Sequence, residues 1–220
     1  MGKRILLVEG KDDQHVMWNL LKVRDVPKVF EVERTGEDPG DDNGGVEKLL
    51  EAVPRWLLES DLERLAVILD ANDKGPAARW NAIQGRLTQR GYKDIPASPE
   101  KNGLVFELSL EPRTPRSVRF AAWIMPDNRS AGMLEDFVAS LIREDDAMLP
   151  FVDRFLDSIP AGPGRFRQAH RSKARIHSWL AVSERPGRPM GQAIKADRNL
   201  DANHPSVGPF LGWIRSALVE

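Results

Sequence analysis

The segment RLAVILD, residues 64–70, constrains the fold more than any other part of the chain. Its apolar residues run without polar interruption from Leu65 to Leu69, and an acid, Asp70, ends the run. A strand that is apolar on both faces is typical of the middle of a parallel sheet that is covered on both sides. We therefore predict an α/β fold in which this segment is the central strand.

Strand-like and helix-like segments alternate around this strand. Such alternation predicts a Rossmann-like, mostly parallel sheet flanked by helices. The remaining predicted strands are 4–9, 28–33, 104–110 and 117–124, and the helices between them are 12–24, 46–59 (interrupted at Pro54) and 76–90. Residues 34–45 and the segment EPRTPR (111–116) are predicted loops.

The last third of the chain has a helical pattern, with turn-rich breaks at 160–164 and 185–208. We expect residues 1–130 to form the α/β core and residues 131–220 a helical portion packed on it within the same compact domain. The predicted helices of this portion are 131–147, 149–157, 165–183 and 209–219.

Composition excludes several classes of site. The chain has 220 residues and no cysteine, which excludes disulfides, thiolate zinc sites and cysteine nucleophiles, and its four histidines show no metalloprotease spacing. Lys+Arg (32) and Asp+Glu (33) nearly cancel, so a nucleic-acid surface, if present, must be local. The first apolar run is too short for a signal sequence, and no stretch reaches the ~18 residues of a membrane helix. We expect a cytoplasmic protein that does not bind membrane.

Acids stand where two of the predicted strands end. Glu9 closes the first strand and Asp70 closes the central one. Ligands of open parallel sheets bind beyond the carboxyl ends of the strands, which favours a functional role for both. Asp13 lies on the inward face of the following helix and is a third candidate, whereas Asp12 points away and favours a helix cap.

Oxygen-bearing side chains follow Asp70 closely. Asn72 and Asp73 precede Gly75, an arrangement that can converge on a hard cation around a tight turn. Taken alone, such clusters are more often plain turns, but here they follow a central strand. The loop GDDNGG (40–45) lacks the trailing glutamate of a calcium loop and favours a solvated insertion.

Further acids occur in PDNRSAGMLED, residues 126–136. On a helix that begins near residue 131, Glu135 lies at the edge of the buried stripe and is a candidate metal ligand, whereas Asp136 points to solvent. Asp127, in the turn before, is either another acid of the site or an ordinary cap.

Lys173 falls in the middle of the inward face of the predicted helix 165–183. A lysine there is costly unless it meets a carboxylate or phosphate, although a snorkelling stem or a structural ion pair is an equal alternative. The opposite side of this helix is either a solvated face or a surface that tracks a phosphate backbone. Its residues are Arg167, Arg171 and Arg175.

These residues resemble a known family. The stretch LLVEGKDD (6–13) is similar to the first Toprim motif, hydrophobic-Glu-Gly-x-x-Asp after a strand, and VILDANDKG (67–75) is similar to the second, a strand that ends in Asp-x-Asp. The stretches WIMPDNRSAGMLEDF (123–137) and KARIHSWLA (173–181) resemble later segments of small stand-alone Toprim-like prokaryotic proteins of unassigned function. The second acid of Asp-x-Asp is replaced by Asn72, which lowers the expected metal affinity unless Asp73 substitutes.

The resemblance implies a Toprim-type nuclease. Glu9, Asp13 and Asp70 would hold Mg²⁺ or Mn²⁺, and one or two sites would be completed by Asn72, Asp73 and Glu135. Paired metal ions can activate water and stabilise the leaving oxygen of a phosphodiester. Glu9 and Lys173 would be the catalytic residues, with Lys173 stabilising charge on the phosphate, as a lysine does in OLD-type nucleases.

The main hypothesis is therefore a metal-dependent phosphodiesterase that acts on DNA or RNA. The alternative is a non-catalytic Toprim-like module that binds nucleotide, nucleic acid or a protein partner; nucleotidyl transfer of the primase kind ranks third. Because many Toprim nucleases work beside an ATPase and this chain has no Walker A sequence, a partner ATPase is a further expectation.

Overall fold

The computed structural model describes residues 2–35, 45–109, 116–196 and 200–220. A five-stranded sheet lies at its centre, with the strand order β2-β1-β3-β5-β4. The first four strands in that order are parallel, and β4 runs antiparallel to β5. The strands are β1 Lys3–Val8, β2 Glu31–Arg34, β3 Leu62–Asp70, β4 Leu104–Ser109 and β5 Ser117–Met125.

Helices cover both faces of this sheet, which confirms the predicted α/β class. They are α1 Lys11–Val23, α2 Val46–Trp56, α3 Gly75–Gln89, α4 Leu134–Ala139, α5 Leu149–Ser158, α6 Arg171–Ala181, α7 Met190–Ala196 and α8 Val207–Ile214. A 3₁₀ turn, Gln168–His170, precedes α6, and a π-helical turn, Arg215–Val219, follows α8. No helix of the described ranges combines the length and the apolar character that crossing a membrane requires.

The two faces of β3 explain why its sequence is apolar throughout. Alternate side chains of a strand point to opposite sides of a sheet. Leu65, Val67 and Leu69 belong to the core beneath α2 and α3. Ala66 and Ile68 belong to the core that the sheet shares with α1 and the C-terminal helices. The helical last third therefore packs on the sheet, as predicted.

Several predicted boundaries in the last third are wrong. Helix α4 has six residues instead of the predicted 131–147: the chain leaves the helix at Ser140, and Ile142 then forms an isolated bridge with Leu200. The Asp146 side chain accepts hydrogen bonds from the amides of Met148 and Leu149 at the start of α5. Helix α6 begins at Arg171 instead of residue 165. Helix α7 lies inside the segment predicted to be turn-rich.

The predictions about the prolines of α2 and α3 are tested by the structure, whereas two predicted loops lie mostly outside the described residues. Helix α3 has Pro at its first turn as expected, and α2 continues through Pro54 instead of breaking there. Residues 36–44, which include most of GDDNGG, lie outside the described residues. Residues 110–115, which include most of EPRTPR, do so too.

Candidate functional site

The first two acids of the predicted site meet where two neighbouring strands end. Glu9 directly follows β1, Asp70 ends β3, and the two strands are paired in parallel. The backbone amide of Asp70 donates a hydrogen bond of 2.8 Å to Oε1 of Glu9. The expected proximity of these acids is therefore observed, although the side chain of Glu9 is only 9% exposed.

Asp13 joins them from the first turn of α1. Its Oδ2 accepts a hydrogen bond of 3.1 Å from the backbone amide of Gly10, which precedes the helix. Asp13 thus caps α1, and the negative charge of Glu9 acts on it within the same cluster. Asp13 therefore both caps α1 and lies close to Glu9.

Glu135 reaches the same edge from α4. The amide of Leu134 donates a hydrogen bond of 2.8 Å to Oδ1 of Asp70, which brings the start of α4 to the end of β3. Glu135 is only 5% exposed and lies 3.4 Å from Nζ of Lys173, measured from its Oε1. Glu9, Asp13, Asp70 and Glu135 are called the acid cluster below.

Lys173 lies beside the acid cluster but is not buried. Its side chain is 57% exposed, so the predicted inward, buried position is wrong. Because α6 begins at Arg171, Lys173 stands in the first turn of the helix and not in its middle. Partial burial would lower the pKa of Lys173, but the hydrogen bond and charge of Glu135, together with the charges of Asp12 and Asp70, outweigh it and the pKa is raised. Lys173 is therefore cationic and oriented by Glu135.

Ionisation of Glu9, Asp13 and Asp70 is disfavoured. Burial, reinforced by the charge of Asp70, raises the pKa of Glu9 to about 8. Burial and the charge of Glu9 raise the pKa of Asp13 to about 8. The pKa of Asp70 is raised well above its usual range by burial and by the charges of Asp13 and Glu135. Gathering buried carboxyl groups in this way costs stability, which is typical of a functional site.

Two of the acids each retain an oxygen for a ligand. One oxygen of Glu9 and one of Asp70 accept a backbone hydrogen bond, and the other oxygen of each makes none to the residues that the structure describes. The carboxyl group of Asp13 interacts with its own backbone amide as well as with that of Gly10. Within those residues, no three His, Asp or Glu side chains already stand in metal-binding geometry. A shared ion would therefore require the carboxyl groups to turn toward one another.

Asn72 and Asp73 are not brought into the cluster. The backbone of Asn72 pairs with Gly132 through hydrogen bonds of 2.6 and 3.2 Å, and its φ of +49° forms a tight turn after β3. Asp73 is exposed. In the described part of the chain, neither side chain has a hydrogen bond or ion pair with the acid cluster.

Asp136 was wrongly predicted to face solvent. Its Oδ2 accepts a hydrogen bond of 2.9 Å from the amide of Met133, and its Oδ1 accepts one of 2.6 Å from Oγ of Ser172. Asp136 stands three residues after the cap of α4, as Asp13 stands after Gly10, and this repeated spacing was the available signal. Asp136 therefore ties α4, which carries Glu135, to α6, which carries Lys173.

Sequence reasoning also missed Arg79, which lies in α3. Its Nε donates a hydrogen bond of 2.8 Å to the backbone carbonyl of Asp70. The signal was its position early in the helix that follows the central strand.

The remaining candidates have structural partners. Arg171 and Arg175 form ion pairs of 2.7 Å with Asp157 and Asp153 of α5, and are therefore not a free phosphate-binding stripe. Asp127 accepts hydrogen bonds from the amides of Arg129 and Ser130 within its own turn, so it acts as a cap.

The structure is that of an α/β protein with a cluster of acids at the carboxyl edge of its parallel strands. The chain belongs to the family DUF3226, described as proteins of unknown function, whose model matches residues 3–219. No curated protein and no solved structure matches the chain.

Proposed function

We propose that this protein is a Toprim-like, metal-dependent phosphodiesterase that acts on DNA or RNA. The observation that carries the proposal is the convergence of four acids from β1, α1, β3 and α4 on one edge of the sheet. Two of them, Glu9 and Glu135, are at least nine-tenths buried. Three of the acids accept backbone hydrogen bonds, but those bonds do not require four carboxyl groups at one place, and their concentration is unfavourable without a cation.

The donor set fits Mg²⁺ or Mn²⁺. Both ions prefer carboxylate oxygens, and the cluster contains no softer ligand. Glu9, Asp13, Asp70 and Glu135 would hold the ion. A bound ion of this kind acts as a Lewis acid toward a phosphodiester and lowers the pKa of water. It would also replace the protons that the raised pKa values of Glu9 and Asp13 retain at neutral pH.

The side chains around the cluster would act on the phosphate. Lys173 presents a cation at the cluster, and its exposure leaves it accessible to a substrate. Donors aimed at developing charge stabilise the transition state of phosphoryl transfer. Glu135 and the Asp136–Ser172 hydrogen bond orient Lys173 by holding α4 against α6.

The test is a cleavage assay on labelled single-stranded DNA, double-stranded DNA and RNA, with Mg²⁺, Mn²⁺ or chelator. We expect cleavage that depends on the metal and is lost in Glu9→Gln and Asp70→Asn. Glu144→Gln, which changes an exposed glutamate outside the cluster, is the matched control and should retain full activity. Equal cleavage by Glu9→Gln and the unmodified protein would contradict the proposal.

A second candidate function is a non-catalytic binding module. It is favoured by Asn72, which stands where the Toprim motif has its second acid, and by the separation of Asp73 from the cluster. Calorimetry with Mn²⁺ distinguishes the two functions. Binding that Asp70→Asn abolishes supports the enzyme, whereas the module predicts weak binding or none.

A further inference from the structure

Arg79 holds a fixed position at the edge of the acid cluster. It lies in α3, the helix that follows β3, and its Nε donates a hydrogen bond of 2.8 Å to the carbonyl of Asp70. This bond uses one of the five N–H donors of the guanidinium group. The plane of the guanidinium is thereby held against the backbone of an acid of the cluster.

The rest of the guanidinium has no partner. In the ranges that the structure describes, the two terminal nitrogens of Arg79 make no hydrogen bond or ion pair. Arginines elsewhere differ: Arg86, two turns later in α3, pairs with Glu47, and Arg175 pairs with Asp153. Arg79 thus lies beside four acids without forming an ion pair with any of them.

Its charge nevertheless acts at the site. Burial and Asp70 are the main causes that raise the pKa of Glu9, and Arg79 opposes them. A positive group this close would also offset the repulsion that the acids exert on an anionic substrate. Lys173 is already paired with Glu135, whereas the terminal nitrogens of Arg79 have no partner among the described residues.

We infer that Arg79 binds a non-bridging oxygen pair of a backbone phosphate of the nucleic acid, an assignment that rests on the proposed function. The planar fork of an arginine matches two phosphate oxygens through parallel hydrogen bonds. The bond from Nε to Asp70 orients this fork before substrate arrives, which reduces the entropy lost on binding. The acid cluster and Arg79 would then contact the same stretch of backbone.

The test compares Arg79→Gln and Arg79→Lys with Arg86→Gln as the matched control on the same helix. Binding of fluorescein-labelled dT and U oligonucleotides is measured by anisotropy in chelator over a series of salt concentrations, and thermal melting checks that each variant folds. We expect Arg79→Gln to bind about tenfold or more weakly, and its slope of log K against log salt to fall by about 0.7, the value for one phosphate of a single strand. Arg79→Lys should keep the slope and lose part of the affinity, because lysine keeps the charge without the fork.

The outcomes separate this inference from the proposed function. The inference is overturned if neither oligonucleotide binds, if Arg79→Gln keeps the original affinity and slope, or if Arg86→Gln loses as much. If cleavage requires Glu9 but binding is unchanged in Arg79→Gln, the proposed function is supported and the inference about Arg79 is contradicted. If Arg79→Gln weakens binding but the unmodified protein never cleaves, the inference is supported and the phosphodiesterase activity is contradicted.

Discussion

Oε1 of Glu9 accepts a hydrogen bond from the backbone amide of Asp70, 61 residues away in sequence, at 2.8 Å. This bond joins the carboxyl ends of β1 and β3 through one of the acids that would hold a cation. The same bond lowers the pKa of Glu9, but burial and the neighbouring charge of Asp70 together outweigh it. The hydrogen bond from the amide of Asp70 therefore positions Glu9 but does not make ionisation of its carboxyl group favourable.

Stability of the metal-free protein should fall as pH rises. The pKa of Glu9 rises from 4.5 to about 8 on folding. Between these two pH values the folded state therefore holds a proton that the unfolded state has already lost. The stabilisation is complete below about 4.5 and is lost as pH passes through about 8. The slope for one such proton is about 1.4 kcal/mol per pH unit.

Urea unfolding in chelator at several pH values within this window measures the effect. Glu9→Gln should give a shallower dependence, because it removes one titrating group of the cluster. A free energy of unfolding that rises between these pH values would contradict the cited pKa shift.

Asp13→Asn should stabilise the metal-free protein at pH 8. Asparagine still accepts the hydrogen bond from the amide of Gly10 but removes a buried charge that burial and Glu9 disfavour. We expect a gain of about 1 kcal/mol, which is roughly 2–4 °C in melting temperature for a chain of this size. The same variant should lose Mn²⁺ binding in calorimetry.

Asp136→Asn is the matched control, because Asp136 occupies the same position after the cap of α4. It lies outside the acid cluster, and both of its oxygens accept hydrogen bonds, from Met133 and Ser172. We expect a loss of about 1 kcal/mol, since an amide has only one oxygen to accept them. If both variants raise or both lower the melting temperature, the prediction that repulsion between acids destabilises the cluster at Asp13 is contradicted.

Much of the fold was predictable because its determinants are local. An apolar run such as 64–70 is compatible with few environments, and an acid at the end of a parallel strand lies at the ligand-binding edge of the sheet. These two facts predicted β3 and placed Glu9 and Asp70 together. The apolar stripe of α1 likewise predicted that the side chain of Asp13 points inward, toward these two acids.

The remaining features depend on contacts between distant segments. The exposure of Lys173 follows from where α6 begins, and the role of Asp136 in joining α4 to α6 follows from Ser172, 36 residues away. Helical periodicity could not predict either, because it assumes a continuous helix whose inner face is uniform. Arg79 was missed because its partner is a backbone carbonyl, which no residue type indicates; the available signal was only its position early in the helix after β3.

Lys173→Met should abolish most activity with little loss of stability. The ion pair with Glu135 involves a side chain that is more than half exposed, and such pairs contribute at most about 1 kcal/mol. Removing one donor from a transition-state site costs on the order of 10²–10³ in kcat. Lys195→Met, which changes an exposed lysine on α7, is the control for kcat and melting temperature. A Lys173→Met variant that retains the original kcat would exclude a catalytic role.

Gly191→Ala should destabilise the fold by loosening α7 from α1, the helix that carries Asp13. A Cβ at residue 191 would lie 2.6 Å from the carbonyl carbon of His15, and this backbone cannot yield as a flexible side chain would. Overpacking of this kind costs about 1–3 kcal/mol. Gly208 is the matched control, since it is also the second residue of a helix but has nothing within 4 Å of its added Cβ. Gly208→Ala should therefore stabilise by about 0.4–1 kcal/mol, and urea unfolding that shows equal shifts for both variants would exclude the close approach of α7 to α1.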